Sequence, residues 1–532
     1  MLNSTRNSIA LLIAAWAVLV ATALWIRPLL PVDETRYVSV AWEMWVRGDF
    51  LVPYLNGEAY SHKPPLLFWL IQAGWWLFGV NDLWPRLINP LLGLASLGLT
   101  ALLARRLWPQ QPAAAVFSSW VLFGCIFFAG FLTLIQFDLL IVVCTLLGML
   151  GLLHAASGSG TGWLVVGLAI GLGLLSKGPV ILLHLLPAVL LGPLWVDRDQ
   201  LRGWMCWYGG MLAAVVVGVA IGLAWALPAG QAGGEEYRLA IFWRQTADRV
   251  VDSFAHKQPF WWYVAWLPVL VLPWPLWPPL WRAARDAGRD ALRARGVRFV
   301  LCWAVSVVLL LSLVSGKQAK YLLPMFPALA LLAAWWLARA REQRLPRRQW
   351  LAVILLALPM VVFAMIAIRS PANPHWASAL QPEWSGLFLL AAFLWWLWRP
   401  SKPTTAVRGL ALGGVALIVG LHLAVLRTAA PAYDLRGFSA HLADLQAAQR
   451  PIAHVGKYHA QFHFLGRLRA PLAVIDTRAA LDWARAHPEG YLILYCDQWP
   501  GNVCATGELV QDYRGHAGDL ALWSAEKFLA AQ

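Results

Sequence analysis

The chain has 532 residues, of which 60% are apolar and only 13% are charged, and its mean hydropathy is +0.60. These values exclude an ordinary soluble domain and indicate a protein built largely from membrane-spanning helices. The formal net charge of +15 would suit nucleic acid, but Lys and Arg stand in short clusters between apolar stretches. That pattern is typical of membrane topology and of contact with anionic lipid headgroups, so we expect membrane lipids as partners and no nucleic acid.

Apolar stretches of about 20 residues, each long enough to cross a ~30 Å hydrocarbon core as a helix, recur along the chain. The first is too long for a signal peptide and lacks a small-x-small cleavage site, so it predicts a signal anchor. Residues 66–80 are apolar but short and begin after two prolines, which favours an interfacial or re-entrant helix. The thirteen predicted spans are 8–27, 84–107, 112–132, 138–154, 162–176, 179–196, 204–227, 260–281, 298–315, 321–340, 350–368, 384–399 and 408–427.

The basic clusters predict the orientation. With thirteen spans they all fall on one side, whereas counting 66–80 as a crossing would put Arg6 opposite the Arg-rich run 282–298. Lys and Arg in short loops favour the cytoplasm. We therefore predict a cytoplasmic amino terminus and an extracytoplasmic carboxyl terminus.

This topology gathers on the outer face the polar groups that the basic clusters leave unexplained. The first outer loop, 28–83, is the densest polar stretch in the first half of the chain, and its residues 33–47 have the period of an amphipathic helix lying on the membrane. Ionisable groups at a membrane face are costly unless they are solvated or used, so this loop is the first candidate for a functional site. The residues that converge on this face are Asp33, His62, Lys63, Asp138, Lys177, Arg244, Arg249, His256, Lys257, Lys317, Lys320 and Tyr321.

Asp33 and Asp138 are the acidic candidates for catalysis. Each stands at the start of a predicted helix, where helix N-capping is a sufficient explanation. A carboxylate at the membrane surface can also accept a proton from an acceptor hydroxyl or orient it. Both interpretations stay open, and Glu34 is expected only to complement the helix dipole.

The cations of the outer loops are candidates for binding an anion. Tyr60, His62 and Lys63 precede two prolines, whose extended geometry projects the preceding side chains into a cavity. Lysine suits a phosphate, and histidine suits a metal or a proton. A second group stands where simple topology predicts few cations and would serve a lipid-borne phosphate, with solvated contacts to headgroups as the alternative. Its members are Arg244, Arg249, His256 and Lys257, and Lys317, Lys320 and Tyr321 repeat the pattern before another span.

The tail changes in composition after the last span. Strand-like runs at 451–455, 472–475 and 491–495, with helical runs at 435–449 and 477–487, predict a small α/β domain. We therefore divide the chain into a transmembrane domain over 1–427 and a tail domain over 428–532. Cys496 and Cys504 would be able to form a disulfide in an extracytoplasmic tail.

Two motifs of the first loop carry a family resemblance. Asp33-Glu34-Thr35-Arg36-Tyr37, followed by Tyr60-Ser61-His62-Lys63-Pro64-Pro65, resembles the signature of bacterial lipid A aminoarabinose transferases and of the wider protein O-mannosyltransferase-like membrane glycosyltransferases. Weaker matches follow in the family's order at 174–179, 256–261, 320–324 and 326–328. The resemblance implies the GT-C fold: an all-α polytopic membrane protein, with interfacial helices in the first outer loop and the small α/β domain in the periplasm.

The resemblance also implies a reaction. The donor would be a polyprenyl-phosphate-linked sugar, used at the periplasmic face of the bacterial inner membrane, and the acceptor lipid A, another glycolipid or a protein. By position in the family's motifs, Asp33 is the catalytic acidic residue and Asp138 the second acidic position; Lys63 is the donor-phosphate lysine, with Tyr60 and Tyr321 as partners and Arg249 and Arg244 as further phosphate contacts.

One position departs from the family. Aminoarabinose transferases carry an acidic residue before the lysine of Lys-Pro-Pro, where it helps to hold a divalent metal, and His62 stands there in this chain. Imidazole suits zinc or another transition metal and is a poor magnesium ligand. His62 is therefore the candidate metal ligand, while the use of a metal and the identity of the sugar stay open.

These observations predict an inverting membrane glycosyltransferase. Asp33 would activate an acceptor hydroxyl or position a phosphate acceptor, while Lys63 and the arginines stabilise the departing polyprenyl phosphate. The alternative is a lipid or glycolipid transporter, which needs polar or broken helices near the bilayer midplane. His184 and His422 are the main ionisable residues inside the spans, and without a visible acidic partner we expect them to be packed core residues.

Overall fold

The computed structural model describes residues 2–197, 203–244, 257–339, 402–495, 507–514 and 516–531, together with 375–380 and scattered positions between 383 and 400. Helices dominate up to residue 447, and a small sheet follows. The helices of the first half are α1 Leu2–Ile26, α2 Asp33–Arg47, α3 Leu66–Phe78, α4 Leu83–Leu107, α5 Pro112–Gly124, α6 Ile126–Phe131, α7 Asp138–Ala156, α8 Gly160–Lys177, α9 Val180–Leu190, α10 Gly192–Trp195, α11 Trp204–Ala232 and α12 Gly234–Leu239. The longer later helices are Trp262–Leu270, Pro278–Ala287, Arg295–Leu313, Phe326–Arg339, Pro403–Leu421 and Arg436–Ala447.

In the part of the chain that the structure describes, eight helical stretches are long and apolar enough to cross a membrane. α3 has 13 residues, about 20 Å at ~1.5 Å per residue, and is therefore shorter than the hydrocarbon core, as predicted for 66–80. The eight stretches are Arg6–Ile26, Leu83–Leu107, Asp138–Ala156, Gly160–Lys177, Trp204–Ala232, Arg295–Leu313, Ala319–Arg339 and Pro403–Ala447.

Three of the thirteen predicted spans are broken. Span 112–132 divides into α5 and α6 at Cys125, whose backbone is extended. Span 179–196 divides at Leu191 into α9 and α10, and 260–281 becomes Trp262–Leu270, a 3-10 turn Trp274–Leu276 and Pro278–Ala287. Proline lacks the N–H that continues a helix, and the last of these spans contains five prolines. Span 350–368 and most of 384–399 lie outside the described residues, so the number thirteen stays a prediction.

The core of the helical part is continuous, and His184 and His422 are buried within it, as predicted. His422 Nδ1 lies 2.8 Å from the carbonyl oxygen of Ile418, one turn earlier. A second buried cluster lies beside the first loop and joins Tyr37, Phe68, Phe137 and Phe464. It therefore unites residues of α2, α3, the α7 start and the tail.

The first loop contains the predicted helix and a small hairpin. α2 begins at Asp33 and ends at Arg47, and strands β1 Tyr54–Leu55 and β2 Glu58–Ala59 pair antiparallel. Ser39 lies on the polar side of α2, opposite the apolar stripe of Tyr37, Val40 and Met44. Its side chain is buried because the tail covers that side of the helix.

The tail contains a five-stranded sheet in the order β4-β3-β5-β7-β6. Strands β3 Ile452–Val455, β4 Ala473–Ile475 and β5 Tyr491–Tyr495 match the three predicted strands and pair in parallel. β6 Leu509–Tyr513 and β7 His516–Ser524 were not predicted and add an antiparallel edge. Apolar clusters cover both faces of the sheet. The predicted pairing of Cys496 with Cys504 lies outside the described residues.

Candidate active site

A buried ion pair fixes the start of α2. Glu34 is only 3% exposed at its side chain, and Arg27 Nη1 donates to it at 2.5 Å. Its two carboxylate oxygens also accept from the backbone N–H groups of Leu30 and Ile135, each at 2.8 Å, while Arg27 donates to the carbonyl of Thr133. The expectation that Glu34 only complements the helix dipole is therefore wrong. Glu34 ties α2 to the end of α1 and to the segment before α7.

Unlike the buried side chain of Glu34, that of Asp33 stays 38% exposed. Its Oδ1 accepts from Arg36 one turn later, and its Oδ2 accepts from Gln136 Nε2 at 3.1 Å. α2 starts at Asp33 itself, with Val32 at the N-cap position and no side-chain cap. The N-cap interpretation of Asp33 is therefore wrong, and its carboxylate is held by side chains with one region open to solvent.

Asp138 is buried and paired. It is the first residue of α7, the N-cap position belongs to Phe137, and no side-chain cap is formed. Lys177 Nζ donates to Asp138 Oδ1 at 2.5 Å, with side-chain exposures of 11% and 2%. The ammonium of Lys177 also lies 4.7 Å from the ring centroid of Tyr321. The N-cap interpretation is again wrong, because Asp138 holds a lysine instead.

Phe137 stands at the centre of the aromatic cluster that carries Lys63. The ammonium of Lys63 lies 5.8 Å from the Phe137 ring centroid, and the Phe137 ring makes edge contacts with Tyr37 at 5.0 Å and Phe68 at 5.6 Å. Tyr60 is buried, and its ring lies 6.4 Å from Phe68. The sequence-predicted residues Lys63 and Tyr60 thus lie on the same aromatic cluster as α2.

The three consecutive residues Gln136, Phe137 and Asp138, which we call the bridging segment, gather these groups. Gln136 contacts Asp33, Phe137 contacts Lys63, and Asp138 contacts Lys177. Four parts of the chain that are distant in sequence therefore meet here.

The remaining predicted residues are distributed as follows. Lys257 is exposed, and its backbone bridges to Gly316. Lys320 is half-buried in the 3-10 turn Ala319–Met325 that also carries Tyr321. Lys317 is 4% exposed and donates to the carbonyls of Gln258 and Val314, which is a structural role. Arg249 and His256 lie outside the described residues, as does the side chain of Arg244.

Several residues of the site were not predicted to have a role in it. Gln136 and Arg36 both hold Asp33, and Lys177 pairs with Asp138. Lys177 was predicted only as one of the polar groups on the outer face. It precedes Gly178, which ends α8 with a φ of +73°, and this position at a helix end was the signal that could have assigned Lys177 to the site. Burial alone would lower the pKa of Arg36, but Tyr60, Tyr37 and Asp33 raise it overall, so the guanidinium stays charged.

His62 was the candidate metal ligand. Its ring lies 5.3 Å from that of Tyr60. Within the described residues, no three His, Cys, Asp or Glu side chains are grouped as a metal site would require. A metal at His62 stays a prediction, and no step below passes through one.

Comparison with known proteins identifies the family. The family described as dolichyl-phosphate-mannose-protein mannosyltransferase matches residues 62–225. The undecaprenyl phosphate-alpha-4-amino-4-deoxy-L-arabinose arabinosyl transferase of Pseudomonas aeruginosa is 30% identical over 515 residues, which cover 91% of this chain and 88% of that protein. The chain belongs to this arabinosyl transferase family.

Other members of the arabinosyl transferase family match over a shorter length. The protein of the same name from Erwinia tasmaniensis is 32% identical over 315 residues, which cover 58% of this chain and 55% of the relative. The chain therefore spans little more than half the length of this curated relative.

Solved structures extend the likeness to the whole fold. The crystal structure of ArnT from Cupriavidus metallidurans in the apo state superposes with a TM-score of 0.78 at 20% identity, covering 99% of both chains. The same protein bound to undecaprenyl phosphate gives 0.75 at 22% identity, covering 97% of both chains. The chain thus shares the ArnT fold, which confirms the predicted helical membrane architecture with a small sheet domain near the carboxyl terminus.

Proposed function

We propose that this chain is an inner-membrane glycosyltransferase that moves a sugar from a polyprenyl-phosphate donor to lipid A or another envelope acceptor on the periplasmic face. The observation that carries the proposal is the bridging segment, which brings together an open carboxylate, a half-buried lysine beside an aromatic ring and a buried lysine–aspartate pair. The donor sugar to test first is the 4-amino-4-deoxy-L-arabinose named in the relatives.

The roles follow from exposure and charge. Asp33 is the carboxylate that substrate can reach, and Arg36 and Gln136 fix its orientation. An acceptor hydroxyl would lose its proton to Asp33, whereas a phosphate acceptor, already ionised, would only be positioned by it. In either case the acceptor oxygen attacks the anomeric carbon, and the sugar–phosphate bond breaks with its electron pair leaving on the polyprenyl phosphate.

The leaving group needs positive charge. Lys63, held over Phe137, is placed to stabilise the phosphate as negative charge develops on it. Lys177 is a second ammonium at the bridging segment, and Asp138 and the Tyr321 ring hold it in place. Tyr60, Lys257, Lys320, His256, Arg244 and Arg249 are proposed as further donor contacts.

The topology belongs to the same proposal. With the amino terminus in the cytoplasm, the bridging segment and the tail domain, 428–532, face the periplasm, while 1–427 holds the spans. Apolar helices of the required length support the membrane assignment.

The test uses the purified full-length protein with a polyprenyl-phosphate aminopentose donor and lipid A. We expect Asp33→Asn and Lys63→Ala each to lower the turnover at least about a hundredfold. Glu58→Gln is the matched control, because Glu58 is an exposed carboxylate of the same loop. Turnover retained in both variants would refute the mechanism, and lipid flux without sugar transfer would favour a transporter.

A further inference from the structure

The tail domain packs against α2, the helix that begins at Asp33. The backbone N–H of Phe464 donates to Ser39 Oγ at 3.1 Å, and Trp42 Nε1 donates to the carbonyl oxygen of Leu468 at 2.9 Å. The ring of Phe464 stacks on that of Trp75 at 5.3 Å with an angle of 7°. Both rings are buried, so this contact is part of the folded core.

The contact continues along the first loop. Asn56 makes two reciprocal hydrogen bonds with the backbone of Leu472: its Nδ2 donates to the carbonyl at 3.0 Å, and its Oδ1 accepts from the N–H at 2.8 Å. The guanidinium of Arg467 lies 3.8 Å from the Phe464 ring centroid. The tail is therefore fixed relative to α2 by hydrogen bonds and by stacked aromatic rings.

The turn between β3 and Phe464 is held internally. Gln461 Oε1 accepts from the backbone N–H of His459 at 3.1 Å, and Gln461 Nε2 donates to Tyr495 Oη at 2.6 Å. The hydroxyl of Tyr458 is hydrogen-bonded to His463 Nδ1 at 2.8 Å. His459 thus stands on a preformed turn whose end is anchored to α2.

His459 faces the charged groups of the first loop. Burial lowers its pKa first, and Arg36, Lys457 and His62 lower it further, while Asp33 acts in the opposite direction. These interactions place the half-buried imidazole in the electrostatic range of Asp33 and Arg36. Lys457, two residues earlier, is exposed. The turn that is anchored to α2 at Ser39 thus carries a half-buried imidazole and an exposed ammonium near the charged groups of the first loop.

We propose that the turn 456–463 forms the acceptor side of the site, where His459 and Lys457 bind a phosphate group of the acceptor glycolipid. This inference rests on the proposed function. The Lys457 ammonium supplies positive charge for a phosphate, and a hydrogen bond from the His459 imidazole N–H to an ionised phosphate oxygen is charge-assisted and directional. An acceptor phosphate held here lies beside Asp33, whereas the donor phosphate belongs to Lys63 and Phe137.

A phosphate at this turn has two conceivable sources, the acceptor and the donor, and steady-state kinetics separate them. With the full-length protein, we expect His459→Ala to raise the acceptor KM about tenfold, the effect of one hydrogen bond to a charged group. The donor KM and kcat should stay within about twofold of the wild type. Lys457→Ala should raise the acceptor KM less, because an exposed ammonium is screened by solvent.

Three controls isolate the hydrogen bond. His459→Gln keeps an N–H donor and should recover part of the acceptor affinity. His441→Ala removes an exposed histidine of the same domain, on helix Arg436–Ala447, and should change nothing. Dephosphorylated acceptor, used as a competitive inhibitor, should bind the wild type and His459→Ala equally, because it lacks the phosphate that His459 would bind.

Each outcome of these kinetic measurements either supports the inference or overturns it. A raised acceptor KM with Gln rescue supports the inference. An unchanged acceptor KM overturns it and leaves the proposed function intact. A rise confined to the donor KM assigns the turn to the donor phosphate and also overturns it. A wild-type protein that transfers no sugar from any polyprenyl-phosphate donor overturns the inference and the proposed function together.

Discussion

Lys177, the last residue of α8, donates a 2.5 Å hydrogen bond to Asp138, the first residue of α7. Both side chains are almost fully shielded from solvent. Removing one member of such a pair leaves an uncompensated buried charge, whereas replacing both by apolar groups can be neutral for stability. The pair can therefore be tested separately as a structural and as a functional element.

We expect Lys177→Met to lower the free energy of unfolding by about 3–5 kcal/mol, because Asp138 is left without its ammonium. The double variant Lys177→Met with Asp138→Leu should recover most of that stability but no sugar transfer. Thermal unfolding in detergent and a transfer assay measure the two effects. An active double variant would show that the pair only supports the fold.

Amide substitution of the adjacent carboxylates Asp33 and Glu34 should have different effects: it should lower stability at Glu34 and sugar transfer at Asp33. Glu34→Gln removes a buried charge that pairs with Arg27, so we expect a loss of about 3–5 kcal/mol in stability. Asp33→Asn keeps the size of an exposed side chain and should leave the unfolding temperature nearly unchanged while transfer is lost. Equal stability of the two variants would contradict this division.

Acid should destabilise the tail. Burial lowers the pKa of His454 to about 4 and that of His463 to about 4, from 6.5 in the unfolded chain. Because the folded pKa values are depressed, their contribution to stability is complete above about pH 6.5 and is lost as the pH falls toward 4. Each histidine accounts for about 3 kcal/mol over that window.

Chemical unfolding of the full chain at pH 7 and pH 5 measures this loss. His463→Asn, which preserves an acceptor for Tyr458, should show a shallower dependence on pH than the wild type. The exposed His441→Ala should retain the wild-type dependence. A stability that does not change between pH 7 and pH 5 would contradict the prediction.

Accessibility labelling tests the orientation. Arg86 near the start of α4 donates to the backbone of Ala23 and Arg27, and Arg106 stands 20 residues later, about 30 Å along the helix. The background carries Cys206→Ser, which removes the exposed cysteine of the described residues, together with Cys496→Ser and Cys504→Ser. In this background, Lys457→Cys should react with an impermeant maleimide from the periplasm. Arg106→Cys should react only after the inner membrane is permeabilised. Labelling of both from the same side would refute the topology.

The sequence predicted those elements whose signal is local. The period of 33–47 gave α2 its bounds, and three apolar runs gave β3, β4 and β5. β6 and β7 were missed because their alternation is irregular and because β7, on which β6 pairs, joins the sheet by a long-range pairing with β5. The broken spans were missed because hydropathy does not register a local break in a helix, whether it lies at prolines, as in 260–281, or at the extended backbone of Cys125.

The candidate site was likewise predicted only in part. Asp33, Asp138, Lys63 and Tyr60 were predicted; Asp33 and Lys63 contact the bridging segment, Asp138 belongs to it, and Tyr60 lies against Phe68 beside it. Their partners were not found, because the pairing of Asp138 with Lys177 and of Glu34 with Arg27 depends on helices that approach only in the folded chain. The same reason explains why the contact of Phe464 with Ser39, which anchors the turn of His459 to α2, was not predicted.

In the bridging segment, the number of residues matters as much as the type of side chain. Gln136, Phe137 and Asp138 are consecutive, yet each serves a different neighbour. One alanine inserted between Phe137 and Asp138 would turn one set of contacts by about 100° relative to the other. Asp33 would then keep its amide partner while Asp138 lost its lysine. In this protein a single-residue change of length would separate the two carboxylates more completely than any substitution of either.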